Sequence, residues 1–296
     1  MENFRRVLGV DIGGSSVKMG LLDESAGIGD VRQIEMITGE PEIMAEKIAR
    51  LAVTYEPDIV GVGSAGAVNH KTGLVSAGNL YWRDVPMRAM LAEKIGKPVW
   101  IDNDAKAALM AEWYSGVIKG TRNAVCVTLG TGLGGGLLID GRPWRGEDNT
   151  AFELGQIVTH ADAYARTAAK EGRYEYYASA IGISRMTGGR PARETIEKVV
   201  AGDPEVRAVF DWFMDELSLG LMTVIVLFRP EIIALGGGIS AAGEYLLEGV
   251  RKRLVDMHGG RSGSFKAEQV QMAVHGNNAG MIGAAALAKF YLADEK

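Results

Sequence analysis

Val125-Cys126-Val127-Thr128-Leu129-Gly130-Thr131-Gly132-Leu133-Gly134-Gly135-Gly136-Leu137-Leu138-Ile139-Asp140-Gly141 is the stretch on which the reading of the fold turns. An apolar run enters a glycine-rich bend, a second apolar run leaves it, and Asp140-Gly141 ends it as a turn pair, so the spacing predicts a β-hairpin. The layout occurs again near the N-terminus. There Val7-Leu8-Gly9-Val10 leads into Asp11-Ile12-Gly13-Gly14-Ser15-Ser16, and the returning strand ends at Asp23. Asp11 to Asp23 and Thr128 to Asp140 are equally far apart, which marks the starts of two related α/β halves.

Between and after the hairpins, helical and strand patterns alternate, as in layered α/β proteins with buried sheets. Met44, Ile48, Leu51, Ala52 and Tyr55 share one helical face behind Pro41. Asp58 to Gly63 and Pro98 to Ile101 read as strands, Asp104 to Tyr114 as a helix, and Asp203-Pro204 as the cap of a long apolar helix ending near Phe228. Ile232-Ile233-Ala234-Leu235 is a buried strand before Gly236-Gly237-Gly238, and Ala279 to Leu292 is a small-residue helix whose packing partner the pattern leaves open. A chain of 296 residues suits two domains of about 150 residues each. The expected division is 1–117 with about 279–296 as the smaller domain, and 118–278 as the larger.

The net charge of −5 offers no basic footprint for nucleic acid or an anionic membrane, so small molecules are the expected partners. Cys126 is the single cysteine, and its apolar neighbours make it a core thiol rather than a nucleophile. Asp11 interrupts the first apolar run too early for a signal peptide, and Leu217 to Phe228 is too short to span a bilayer, so a cytoplasmic protein is expected.

Glycine turns after strands let successive backbone N–H groups converge on one anion, although tight hairpins need glycine for their own geometry. Such turns occur at Gly13-Gly14-Ser15, Gly130-Thr131-Gly132 and Gly236-Gly237-Gly238, and their repetition favours a phosphate site. Ser15 and Thr131 add hydroxyls, and Asp11 a carboxylate able to hold Mg2+ through water. Lys18 is either a phosphate contact or a solvated charge at a strand end. Gly61-x-Gly63-x-x-Gly66 and Gly130-x-Gly132-x-x-Gly135 match a dinucleotide fingerprint, but strand and turn residues follow each where that motif requires a helix.

Ile101-Asp102-Asn103-Asp104-Ala105 sets polar residues between a strand and a helix. They suit a helix cap equally well, yet phosphoryl transfer needs a carboxylate that takes the acceptor's proton, and Asp104 fits with Asn103 beside it. A sugar acceptor needs dense hydrogen bonding. Asn79, Asp104, Glu153 and Glu175 are candidates to supply it, with Trp82 able to stack on a ring; taken singly, Asn79 is also a turn residue and the two glutamates are also surface acids.

Together these residues resemble the ROK family of sugar kinases and repressors, within the actin-like ATPase superfamily, over nearly the whole chain. The most specific part runs from Val127 through Gly136 to Gly141, Arg145-Gly146 and Phe152-Glu153-Leu154-Gly155. The resemblance implies a two-domain, ribonuclease H-like α/β fold with a cleft between the domains, a homodimer, and Mg-ATP as cofactor. It implies that Asp104 is the general base and that Asn79, Asn103, Glu153 and Glu175 hold sugar hydroxyls. It also makes Asp11-Ile12-Gly13-Gly14-Ser15 a phosphate loop and Gly236-Gly237-Gly238 the adenosine loop, with transfer to a 6-hydroxyl.

One departure stands out. Family kinases commonly carry Gly-His followed by C-x-C-G-x-x-G-C-x-E, whose His and Cys bind a structural zinc. Here Gly155-Gln156 and Arg166-Thr167-Ala168-Ala169-Lys170-Glu171-Gly172-Arg173-Tyr174-Glu175 stand instead, so no zinc is expected. The replaced His ordinarily touches the sugar near its anomeric end. Gln156 therefore points to a β-glucoside such as cellobiose, with N-acetylmannosamine and glucose as alternatives. A sugar-sensing repressor would need a helix-turn-helix ahead of the strand at Val7, for which no room is expected, and a non-catalytic binding module is disfavoured by Asp104.

Overall fold

The computed structural model describes residues 6–23, 27–147, 150–166, 171–259 and 265–294. By internal contacts the chain divides into one unit of Met1–Lys119, Pro143–Ala151 and Asn277–Lys296, and another of Gly120–Arg142 and Phe152–Gly276.

In the first unit β1 (Val7–Ile12) returns as β2 (Ser16–Leu22), Gly13 N–H donating to the Ser16 carbonyl at 3.0 Å across the bend. Next come β3 (Ile28–Glu35) and β4 (Ile59–Ser64). A small antiparallel sheet follows, made of β5 (Ala67–Asn69), β6 (Leu74–Ala77) and β7 (Trp82–Val85), and then β8 (Val99–Asn103). The main sheet has the order β3-β2-β1-β4-β8, with β4 parallel to both of its neighbours.

The second unit repeats this plan. β9 (Ala124–Leu129) and β10 (Leu133–Ile139) form the second hairpin; β11 (Arg142–Pro143), whose second residue already counts with the first unit, β12 (Ile232–Gly236) and β13 (Val270–Met272) complete the order β11-β10-β9-β12-β13. β12 runs parallel to β9 and β13, as β4 does to β1 and β8. The two glycine-rich stretches thus start equivalent halves, as their equal lengths suggest. β5 and β6 form the hairpin after Gly66, and β10 runs straight through Gly134–Gly136, so neither G-x-G-x-x-G run opens a helix.

Each unit has its own core. The helix Pro204–Phe228, capped by Asp203 accepting the Glu205 N–H at 3.0 Å, buries Phe210, Phe213, Leu217, Leu221 and Ile225 in the core that also holds side chains of β9 and β12. Burial of such side chains contributes about 1.5–3 kcal/mol each. Cys126 lies within β9 at 1% exposure, a core thiol. The small-residue helix Ala279–Asp294 has a definite seat on β1 and β4 of the first unit. A Cβ at Gly9 or Gly61 would overlap the carbonyls of Met281 or Ala284, so glycine in the sheet and alanine on the helix set the approach. Among the described residues no helix is long and apolar enough to cross a membrane.

Candidate active site

In the first unit β8 ends and the helix Asp104–Ser115 begins within one peptide. Asn103 is its N-cap: Oδ1 accepts the N–H of Ala105 at 2.9 Å and of Lys106 at 3.3 Å, while Nδ2 donates to the Gly66 carbonyl at 2.9 Å. Capping and the expected role of Asp104 are therefore compatible, since capping orients the peptide that carries Asp104. Burial, and then the negative charge of Asp11, push Asp104 up from the usual carboxylate range to about 6. The Ala105 N–H at 2.8 Å, then the Asn103 side chain and the backbone of Asp104 itself, oppose the rise.

Asp11 lies on β1 opposite Lys18 of β2. Burial raises its pKa as well, against the attraction of the Lys18 ammonium. A Cβ on Gly280 would lie 2.5 Å from the Asp11 carboxylate, so the C-terminal helix closes on this acid through a glycine. A Cβ on Gly14 would lie 3.0 Å from Nδ2 of Asn79, which brings the loop after β1 beside Asn79. The Ser15 carbonyl accepts the Met36 N–H at 3.1 Å, fixing the far side of the same loop. One unit therefore gathers Asp11, Gly13, Gly14, Ser15, Lys18, Asn79, Asn103 and Asp104, with Asp11 close enough for its charge to raise Asp104. Such a pair suits a group that must be ionised yet basic near neutral pH.

The second unit holds the other candidates. At the β9–β10 bend the Gly130 N–H donates to the Gly132 carbonyl and the Gly130 carbonyl accepts from Ala180, each at 3.0 Å. Gly237 has φ 86°, and a Cβ there would stand 2.5 Å from the Leu129 carbonyl oxygen. Only glycine lets β12 turn away so near the hairpin. Nothing lies within 4 Å of a Cβ on Gly238, and Thr131 is exposed, so both bends present open backbone. Glu175 stands beside Gly132 and Gly155, whose Cβ atoms would lie 2.9 and 3.1 Å from its Oε2. Gln156 donates to Oε1 of Glu175 at 2.9 Å and accepts from Arg173 at 2.6 Å. Glu153 immediately precedes the short turn Leu154–Gln156.

Trp82 departs from its expected role. At 3% exposure it belongs to the first unit's core, packed there as the first residue of β7. The exposed aromatic beside Asn79 is Tyr81, 79% exposed with φ 56°. Sequence reasoning read Asp102 only as a possible helix cap and missed its partners Arg145 and Tyr291, both of which donate to its carboxylate behind Asn103. Arg145 stood within the family-like signature; Tyr291 carried no signal.

A model of the ROK family matches residues 7–290. The chain belongs to the ROK family. A glucokinase of Streptomyces coelicolor is 32% identical over 95% of this chain and 97% of its own length. A β-glucoside kinase of Listeria innocua is 30% identical over 94% of this chain and 96% of its own length. A ROK family glucokinase from Streptomyces griseus, solved in complex with glucose and AMPPNP, superposes with a TM-score of 0.84 at 30% identity, covering 96% of this chain and 99% of that chain. The fold is the α/β, actin-like ATPase fold of these ROK proteins.

The residues fit Mg2+ carried with ATP. Among the described residues no group of three or more His, Cys, Asp or Glu could hold a metal, whereas one half-buried carboxylate, Asp11, suits an ion that keeps most of its water and its phosphate ligands. At the positions of the family's zinc ligands, Gln156 and Arg173 bond each other directly; Thr167 to Lys170 lie outside the described residues.

Proposed function

We propose that this ROK protein is an ATP-dependent sugar kinase that transfers the γ-phosphoryl group to the 6-hydroxyl of a hexose unit, with a β-glucoside such as cellobiose as acceptor. The observation that carries the reading is Asp104: a carboxylate at a strand-to-helix corner, held at about 6 by burial and by Asp11. Such a group is ionised at neutral pH and still basic enough to take a hydroxyl proton. Asp104 accepts that proton as the acceptor oxygen attacks the γ-phosphorus and the bond to the ADP oxygen breaks. Mg2+, when bound with ATP, would neutralise charge on the phosphate oxygens. Asp11 would hold it through water, and Lys18 with the backbone of Gly13 and Gly14 would add positive potential for the phosphates. Gly130, Thr131, Gly132 and Gly236–Gly238 serve the nucleotide; Asn79, Asn103, Glu153, Gln156 and Glu175 serve the sugar. Cytoplasmic location and a homodimeric state belong to the same proposal.

The choice of a β-glucoside is supported by Gln156, whose amide is turned toward Glu175 and Arg173, and by the kinship with a β-glucoside kinase. Kinship with glucokinases favours free glucose as the second reading. ADP release across glucose, N-acetylmannosamine, cellobiose and gentiobiose separates the two. A higher kcat/KM on the β-linked disaccharides is expected; free hexoses clearly outperforming them would replace the acceptor while keeping the kinase.

A further inference from the structure

Behind Asn103 and Asp104, β8 buries Asp102 completely, at 0% exposure, and donors surround its carboxylate. Oδ1 accepts the Asn103 N–H at 2.8 Å. Oδ2 accepts Nε and Nη2 of Arg145 at 3.2 and 3.0 Å and the Tyr291 hydroxyl at 2.6 Å. The Arg145 guanidinium lies 4.6 Å from the centre of the Tyr291 ring, and His70 stacks on the same ring at 5.7 Å with 17° between the planes. Burial, and then the Arg145 charge, push His70 down to about 4, so the imidazole is neutral near neutral pH and adds no second cation.

Four segments remote in sequence meet at this carboxylate. They are β8, the turn after β5, the excursion Pro143–Ala151, and the C-terminal helix. The excursion matters because it leaves and rejoins the second unit, running on through Phe152 to Glu153. A buried carboxylate is tolerated here only because a forked guanidinium and further donors satisfy it. Apolar residues of the same volume would fill the space without directional bonds. What the ionic arrangement adds is orientation: Asp102 grips the N–H of Asn103, and Asn103 in turn caps the helix that begins at Asp104. A reacting group misplaced by about 1 Å loses about a hundredfold in rate.

We propose that Arg145 and Tyr291 are positioning residues that act through Asp102 to hold the Asn103–Asp104 corner in its working geometry. The role rests on the kinase reading above. Neither residue touches the reacting atoms in this account.

Tyr291→Phe keeps the ring against Arg145 and His70 and removes only the hydroxyl. It is expected to lower kcat about tenfold while KM for MgATP stays within about twofold. In the double variant with Asp102→Asn the loss in kcat should not exceed that of the worse single variant, because both act through one carboxylate. Arg145→Lys, which keeps charge and loses the fork, takes the place of Asp102→Asn if the latter does not fold. Unchanged kcat in Tyr291→Phe, or additive losses in the double variant, would overturn the proposal. Amide exchange at Asn103, Ala105 and Lys106 in the same free variant should quicken about tenfold. Exchange unchanged from wild type overturns the proposal whether or not the chain phosphorylates sugars. Faster exchange in a protein inert toward every sugar supports the positioning and defeats only the kinase reading.

Discussion

The guanidinium of Arg173 donates to Oε1 of Gln156 at 2.6 Å, joining two positions at which the family resemblance implies zinc ligands. The same glutamine donates onward to Glu175, so a cation, an amide and a carboxylate form one chain in which the amide cannot flip without losing both bonds. Arg173→Ala frees that amide. The expected result is a KM for sugar raised about three- to tenfold with KM for MgATP unchanged. Steady-state kinetics with each substrate varied in turn checks it. Because the pair is exposed, little stability is expected to be lost.

The pH profile follows from Asp104. The base must be ionised, so kcat/KM should fall about tenfold per unit below pH 6, and the apparent pKa of this limb should lie near 6. Asp11→Asn removes a like charge and should move the limb to lower pH, since that charge is part of what raises Asp104. The position of the limb, not its height, is the readout, because Asp11 also serves the metal ion in this account.

Asp104 should also be costly to the fold. Its folded pKa of about 6 lies above the ordinary 3.8, so the fold prefers the protonated form. The stability this gives is complete below about 3.8 and is lost as the pH rises through about 6. At pH 7 the ionised group therefore lowers stability by up to about 3 kcal/mol. Asp104→Asn should raise the urea midpoint at pH 7 and show a much smaller gain near pH 4, while turnover drops by several orders of magnitude.

Gly280→Ala should separate activity from general stability. Its methyl would press on the Asp11 carboxylate, and activity should fall more than about tenfold. Gly96→Ala is the control. With φ 70° and open space around it at a helix C-cap, it should cost about 1 kcal/mol of stability and leave activity unchanged.

The sequence made the hairpins visible because glycine runs between apolar strands have few other solutions, and Asp104 because a polar triplet interrupts an otherwise apolar strand-to-helix passage. Trp82 was misjudged at a boundary: read as part of a loop its ring is free, but as the first residue of β7 it turns into the core. The bond between Tyr291 and Asp102 spans 189 positions, and nothing local announces it. Gly280 looked like one more small residue in a small-residue helix until its neighbour proved to be Asp11. Such contacts are set by tertiary packing, where propensity and periodicity carry no information about partners.

The most direct measurement is sugar-dependent ADP release by wild type and Asp104→Asn on the best acceptor of the panel, with sugar binding followed by calorimetry. The account predicts rapid, sugar-dependent release by wild type and a loss of several orders of magnitude in the variant, with the sugar Kd nearly unchanged. Turnover retained by Asp104→Asn, or ADP release in wild type that no sugar stimulates, would contradict it.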